Sequence, residues 1–478
     1  MPYEKLELLI DGEWTSGTSG KSETVTNPAT EESLGELPLA STADLDRALE
    51  ASARGFEVWS RTPAIKRQQI MEKAARLLEE RSEDISRNLT MDMGKPLAEA
   101  KLELNFAIDV LRWYGEEGKR MYGRLVPARM PGLRQMVMRE PVGPTLAFVA
   151  WNFPANNVMR KVAGALGAGC SMIIKPSEET PSTAIAIGRA LQDAGLPDGV
   201  LNIVFGDPAE VSSHLIASPV AKKVSFTGSV EVGKHLQKLA ADTLKRCTLE
   251  LGGHAPVLVF ADSDVERAAK MCAAGKFRNA GQVCISPTRF LVQEDAVEDF
   301  TRIMVREAEA LKVGNGLDED TTMGPLIGER RLPVMEGFVA DAVEHGASVL
   351  TGGARLGNQG HFFAPTVLGN VTDEARIMNE EPFGPIAPIS SFKSLDEGIE
   401  RANRLPFGLA AYAFAGSERT IAALGARMEA GMVGINSLVV STPETPFGGI
   451  EDSGYGSEGG IEGLEVFTRV RLVTETAV

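Results

Sequence analysis

The run Thr145-Leu146-Ala147-Phe148-Val149-Ala150 is apolar, and it breaks abruptly into Trp151-Asn152-Phe153-Pro154 before a helix-like stretch at 156–166. Six apolar residues bounded by turn signals read as a buried strand, and the following change of period reads as a crossover helix. The exchange then repeats down the chain. Strands are predicted at 171–174, 200–205, 223–226 and 256–260, with helices at 183–193, 208–217 and 230–241. Short apolar runs alternating with helices are the pattern of a doubly wound α/β fold with a parallel sheet.

Sheets of this kind bind ligands beyond the carboxyl ends of their strands. The residues there are Trp151-Asn152-Phe153-Pro154, Lys175-Pro176-Ser177-Glu178, Gly206-Asp207, Thr227-Gly228-Ser229 and the segment around Glu250. Beyond Asp264 a second alternation begins, with a helix leading toward Cys284, a strand at 288–292, a helix at 296–311 and another before His345. This predicts a second α/β domain that supplies a thiol. Ahead of Pro141 the chain is mostly helical, with periodic apolar positions over 45–58, 65–78 and 97–122. Residues 123–140 carry Pro127, Pro131 and Gly132 between extended stretches and read as a projecting hairpin, which invites pairing with another subunit.

With 478 residues the chain is several times a single domain in length. Its 43% hydrophobic and 24% charged residues place it among ordinary globular proteins and argue against disorder. A net charge of -16 argues against nucleic acid, which needs clustered Lys and Arg. The four cysteines (Cys170, Cys247, Cys272, Cys284) include no Cys-x-x-Cys pair and form no disulfide framework, which suits a reducing compartment. No apolar run approaches a membrane span and the first residues lack a signal-peptide pattern, so a cytoplasmic protein without a membrane partner is expected. Five scattered histidines show no metal-ligand spacing, and no metal site is expected.

The literal glycine fingerprint Gly454-Tyr455-Gly456-Ser457-Glu458-Gly459 fails as a dinucleotide motif, because too little chain follows to build a βαβ unit. The strand ends offer another cradle. Glu178 can accept from ribose hydroxyls, Lys175 can reach the same sugar, and Gly228-Ser229 can meet a pyrophosphate at a helix N-terminus. Three of the cysteines read as small buried hydrophobes. Cys284 differs, because Gln282 before it and Ile285-Ser286-Pro287 after it mark a helix running out into a loop. A thiol of ordinary pKa, about 8.5, carries only a few per cent thiolate at neutral pH, enough for a strong nucleophile with local help. If it attacks a carbonyl, Asn152 and its own backbone N–H can donate to the oxyanion, and Glu250 can activate water.

Seven motifs in order resemble the aldehyde dehydrogenase superfamily over essentially the whole chain. They are Trp151-Asn152-Phe153-Pro154, Lys175-Pro176-Ser177-Glu178, Phe226-Thr227-Gly228-Ser229, Glu250-Leu251-Gly252-Gly253, Gly281-Gln282-Val283-Cys284, Glu380-Glu381-Pro382-Phe383-Gly384-Pro385 and Pro446-Phe447-Gly448-Gly449. The resemblance implies Cys284 as nucleophile, Glu250 as base for deacylation and Asn152 as oxyanion donor. It implies cofactor contacts from Trp151, Lys175, Ser177, Glu178, Gly228, Ser229, Leu251, Glu381 and Phe383. Glu178 resembles members that prefer NAD, since a carboxylate there repels a 2′-phosphate; NADP remains possible.

Arg160 and Arg278 suggest a clamp for a distal carboxylate beside Phe153, with a hydroxyl from Ser441 or Thr442. This is similar to the succinate semialdehyde and 2-oxoglutarate semialdehyde dehydrogenases. The alternatives are oxidation of another small aldehyde, a CoA-acylating enzyme, which needs no water-activating carboxylate, and a binding protein that keeps the fold without turnover. The domains expected are a cofactor-binding unit of residues 1–122 and 141–250 and a catalytic unit of 251–440. Residues 123–140 and 441–478 would bridge subunits in a homodimer or homotetramer.

Overall fold

The computed structural model describes residues 3–476. The stretch that opened the argument is the strand Thr145–Phe148, central in an eight-stranded sheet. Across that sheet the strands are Glu13–Thr15, Leu8–Ile10, Leu201–Ile203, Met172–Lys175, Thr145–Phe148, Lys223–Gly228, Arg246–Leu251 and Gly454–Tyr455. The inner five are parallel. The outer strands pair antiparallel. Taken by position in the chain, the inner five run third, second, first, fourth, fifth, so the order reverses between Thr145–Phe148 and Lys223–Gly228. That reversal opens a crevice at their carboxyl ends.

The helices entering this crevice are set by local chemistry. Pro154–Ala168 has proline in its first turn and ends on Gly169 at φ 92°. Val230–Ala241 is capped by the Ser229 hydroxyl, which accepts from the Val232 N–H. Pro208–Ala217 is capped by Asp207, which accepts from the N–H groups of Ala209 and Glu210. Helix Leu97–Glu117 lies against Pro154–Ala168 and stops short of the expected end at 122, passing into a 3-10 turn at Gly118–Arg120. Helix Ser82–Met93 was not anticipated; its buried Ile85, Leu89 and Met93 recur at the four-residue spacing of one helix face.

The second sheet runs Ser348–Thr351, Thr366–Gly369, Ile386–Phe392, Arg289–Gln293, Pro256–Val259, Ala410–Phe414, Met432–Ile435, all parallel except the first. Pro256–Val259, next in chain order after the strands of the first sheet, lies inside the second, flanked by Arg289–Gln293 and Ala410–Phe414. An apolar strand buried on both faces does not reveal which sheet it joins. Each sheet has its own apolar core, one built around Leu146, Ile173, Val224 and Leu249, the other around Leu258, Leu291, Ile389 and Ala413.

The stretch read as a hairpin forms strands Arg124–Val126 and Leu133–Pro141, and Thr468–Thr476 pairs antiparallel along Leu133–Pro141. Among the described residues no helix is long and apolar enough to cross a membrane.

Candidate active site

Asn152 lies just beyond strand Thr145–Phe148, 3% exposed. Its backbone carbonyl accepts from Lys95 Nζ at 2.9 Å and from Asn279 Nδ2 at 3.0 Å. Its Oδ1 accepts from Asn157 Nδ2 at 3.1 Å, which orients the amide so that Nδ2 donates toward the Gln282 carbonyl at 3.2 Å. Lys95 is buried and pairs with Glu103 at 2.5 Å. Glu103 Oε1 accepts from the N–H groups of Ala155 and Asn156, at the positive end of helix Pro154–Ala168. A buried ion pair thus fastens the segment that carries Asn152.

The nucleophile loop is held as tightly. After helix Val265–Phe277 the chain passes through Asn279 and Ala280, both near φ +50°, and Gly281 at φ 72°. Left-handed backbone at non-glycine residues is costly and persists only where the surroundings enforce it. Gly281 must be glycine, because a Cβ there would collide with the Gly384 carbonyl. The Gln282 side chain bonds Asn279 O at 3.1 Å and accepts from Ile327 N–H at 2.9 Å. Cys284 follows in a turn beyond these residues, not at a helix end. Among the described residues no backbone carbonyl accepts its N–H.

Glu250, in strand Arg246–Leu251, is 3% exposed, and its Oε1 has no hydrogen-bond partner among the described residues. Burial, then the nearby Glu458 carboxylate, push its pKa up to about 7. Lys161, the Cys284 thiol and Thr227 oppose that rise. Burial and the adjacent Glu250 carboxylate push the Cys284 thiol well above its ordinary value, with Glu381 adding to the effect and Arg160 countering it. The structure therefore brings Cys284, Glu250 and Asn152 together. Sequence reasoning missed the groups behind them. Lys161 Nζ pairs with Glu458 at 2.6 Å and donates to Thr227 Oγ1 at 2.6 Å, all three buried.

Of the proposed cofactor residues, Lys175 and Glu178 pair at 2.6 Å, and Glu178 Oε1 accepts from Gly206 N–H at 3.0 Å. Gly228 and Ser229 open helix Val230–Ala241, and Leu251 is buried against Gly233 of that helix. The Ser177 hydroxyl turns to Glu179. Glu381 is raised to about 8 by burial, despite a bond from the Gly253 N–H, and its carboxylate lies against Gly252. Phe383, at φ 44°, meets Trp151 edge-to-face with ring centroids 5.5 Å apart. An ion pair at one end, a helix N-terminus in the middle, and an aromatic pair with a carboxylate at the other end fit a dinucleotide laid across the crevice.

Arg160 is 2% exposed and makes no ion pair among the described residues. Its Nη2 donates to Ser441 Oγ at 2.7 Å and its Nη1 to Glu458 O at 3.2 Å, and it stacks over Phe447 at 4.3 Å. Thr442 turns instead to Thr445, so Ser441 is the hydroxyl at Arg160. Arg278 is exposed and lies 5.5 Å over the Phe153 ring; its charge acts on Lys95, Glu99 and Tyr412, while that of Arg160 acts on Cys284.

The family described as "Aldehyde dehydrogenase family" matches residues 14–473. The chain is 47% identical over 471 residues to 4-(hydroxymethyl)benzenesulfonate dehydrogenase of Comamonas testosteroni, covering 98% of both. It is 40% identical over 469 residues to 3-sulfolactaldehyde dehydrogenase of Pseudomonas putida, covering 98% of this chain and 96% of that protein. The solved succinate-semialdehyde dehydrogenase of Burkholderia pseudomallei superposes with a TM-score of 0.98 at 39% identity, covering 99% of this chain and 98% of that one.

Proposed function

The chain belongs to the aldehyde dehydrogenase family, and we propose that its substrate is a short aldehyde bearing an anionic group at its far end. Succinate semialdehyde is the first choice and 2-oxoglutarate semialdehyde the second, with NAD preferred over NADP. The observation that carries this reading is Arg160, a buried guanidinium with no carboxylate partner among the described residues, held by Ser441 and close enough to Cys284 to act on it. A buried unpaired charge is costly, and an anion entering the site offsets that cost.

In the proposed cycle the Cys284 thiol releases its proton to solvent and the thiolate sulfur adds to the aldehyde carbon. The oxyanion accepts from Asn152 Nδ2, which turns from the Gln282 carbonyl, and from the Cys284 N–H. When bound, the nicotinamide supplies the hydride acceptor. Collapse of the oxyanion leaves a thioester on Cys284. Glu250, ionised above its pKa of about 7, takes a proton from water, and the hydroxide displaces the thiolate to give the acid. Glu178 supports NAD, because its carboxylate suits a free ribose hydroxyl and repels a phosphate. The open edge of Thr468–Thr476 supports assembly as a homodimer or homotetramer.

A sulfonated aldehyde is the second reading, favoured by the two relatives named for sulfonated compounds. A guanidinium beside a hydroxyl suits either anion. The test is Arg160→Ala assayed with succinate semialdehyde and with propanal. Charge-assisted bonds contribute about 1.5–3 kcal/mol, so kcat/KM for the anionic aldehyde should fall ~10–150-fold, and for propanal less than about threefold. Equal losses on both would refute the clamp.

A further inference from the structure

Helix Pro154–Ala168 presents two polar faces. Asn157 and Lys161 share one, turned to Asn152 and to Thr227 with Glu458. Asn156 and Arg160 share the other, since residues four apart stand one above the next. On this second face Arg160 is packed by Phe447 at 4.3 Å and Phe106 at 5.4 Å.

The Asn156 backbone N–H is taken up by Glu103, but the side-chain Oδ1 is buried and receives no hydrogen bond from any described residue. A buried amide oxygen without a donor is the kind of group a structural role avoids and a ligand completes. Its place along the helix gives it a partner. Asn152, where the carbonyl carbon reacts, lies just before the helix start at Pro154, Arg160 marks where the anion ends, and one four-residue step within the helix advances about 6 Å. Asn156 stands one helical turn before Arg160, on the side toward Asn152, where a carbon between the aldehyde and the anion would pass.

Resting on the reading of an anionic aldehyde, we propose that Asn156 is a specificity-determining residue that selects substrates with a hydroxyl group between the aldehyde and the anion. The hydroxyl donates to Oδ1 and accepts from Nδ2, which makes no hydrogen bond to the described residues. A site built to bond a hydroxyl discriminates against the analogue lacking it, because the buried Oδ1 is then left unpaired.

The test compares kcat/KM for succinate semialdehyde, 2-hydroxy-4-oxobutanoate, 3-hydroxy-4-oxobutanoate and butanal in wild type, Asn156→Leu and Asn156→Ala. Wild type should favour one hydroxylated aldehyde over succinate semialdehyde by about tenfold or more. Both variants should lose that preference while turning over succinate semialdehyde within about threefold of wild type. The absence of a hydroxyl preference in wild type, or its survival in both variants, overturns the proposal. Failure of the underlying reading looks different: butanal would then be oxidised as well as succinate semialdehyde in every form of the enzyme.

Discussion

Replacing Glu250 by Gln should split the two halves of the reaction and move them in opposite directions. The Glu250 carboxyl titrates at about 7, so its ionised fraction is ~0.1 at pH 6 and ~0.9 at pH 8. Turnover limited by thioester hydrolysis should climb about tenfold across that interval in wild type. Without the base, steady-state turnover should fall by ~10²–10⁴, a barrier increase of about 3–5 kcal/mol, and the pH dependence should disappear. The thiol responds with the other sign. After burial, the adjacent Glu250 carboxylate is the main force raising the Cys284 pKa, so removing that charge lowers it and exposes more thiolate at a given pH. Alkylation by iodoacetamide at pH 7.5 should therefore speed up in Glu250→Gln, and rapid mixing with succinate semialdehyde should still give a burst of about one NADH per site. Slower alkylation, or a burst lost in proportion to turnover, would refute the division of labour.

Lys95→Met strips the buried Glu103 of its counter-ion at the start of helix Pro154–Ala168, just after Asn152, so urea denaturation should show a loss of about 3–5 kcal/mol, partly recovered by adding Glu103→Gln. Glu178→Ser removes the carboxylate paired with Lys175, and the kcat/KM ratio of NADP to NAD should rise at least about tenfold, roughly 1.4 kcal/mol, in initial-rate assays. An unchanged ratio would remove Glu178 as the discriminating group.

What was legible in the sequence had local causes. Helices Pro208–Ala217 and Val230–Ala241 begin and end where the sequence places them, because Asp207-Pro208 and Ser229 announce their own caps. The strand-end rule points to Asn152, Lys175, Glu178 and Ser229 because it depends on the order of elements and not on contacts. What was missed depends on distant partners. Strands Leu8–Ile10 and Glu13–Thr15 are only three residues each, and the first exists by pairing with Leu201–Ile203, far along the chain. The Lys161 and Glu458 pair joins residues 297 positions apart. Glu458 lies inside the glycine-rich run that fails as a nucleotide motif, and its importance shows only when Lys161 and Glu250 are found next to it.

The helix Pro154–Ala168 explains why this site can be tuned in separate parts. Thirteen of its fifteen residues are buried, yet it carries Arg160 and Lys161 side by side, and adjacent helical residues cannot face the same way. In the proposed function Arg160 addresses the substrate tail, while Lys161 reaches the Glu250 carboxyl through Glu458. Substitutions on the two faces should therefore separate binding from pH dependence. Lys161 holds the Glu250 pKa down and Glu458 holds it up, so Lys161→Met both removes the lowering charge and strips Glu458 of its counter-ion. The two effects have the same sign. The midpoint of the kcat profile should move above its wild-type value near 7, with KM for succinate semialdehyde little changed, whereas Arg160→Ala should raise KM and leave the midpoint in place. A Lys161→Met profile with an unmoved or lowered midpoint would mean that this buried pair only supports the fold and plays no part in setting the proton affinity of Glu250.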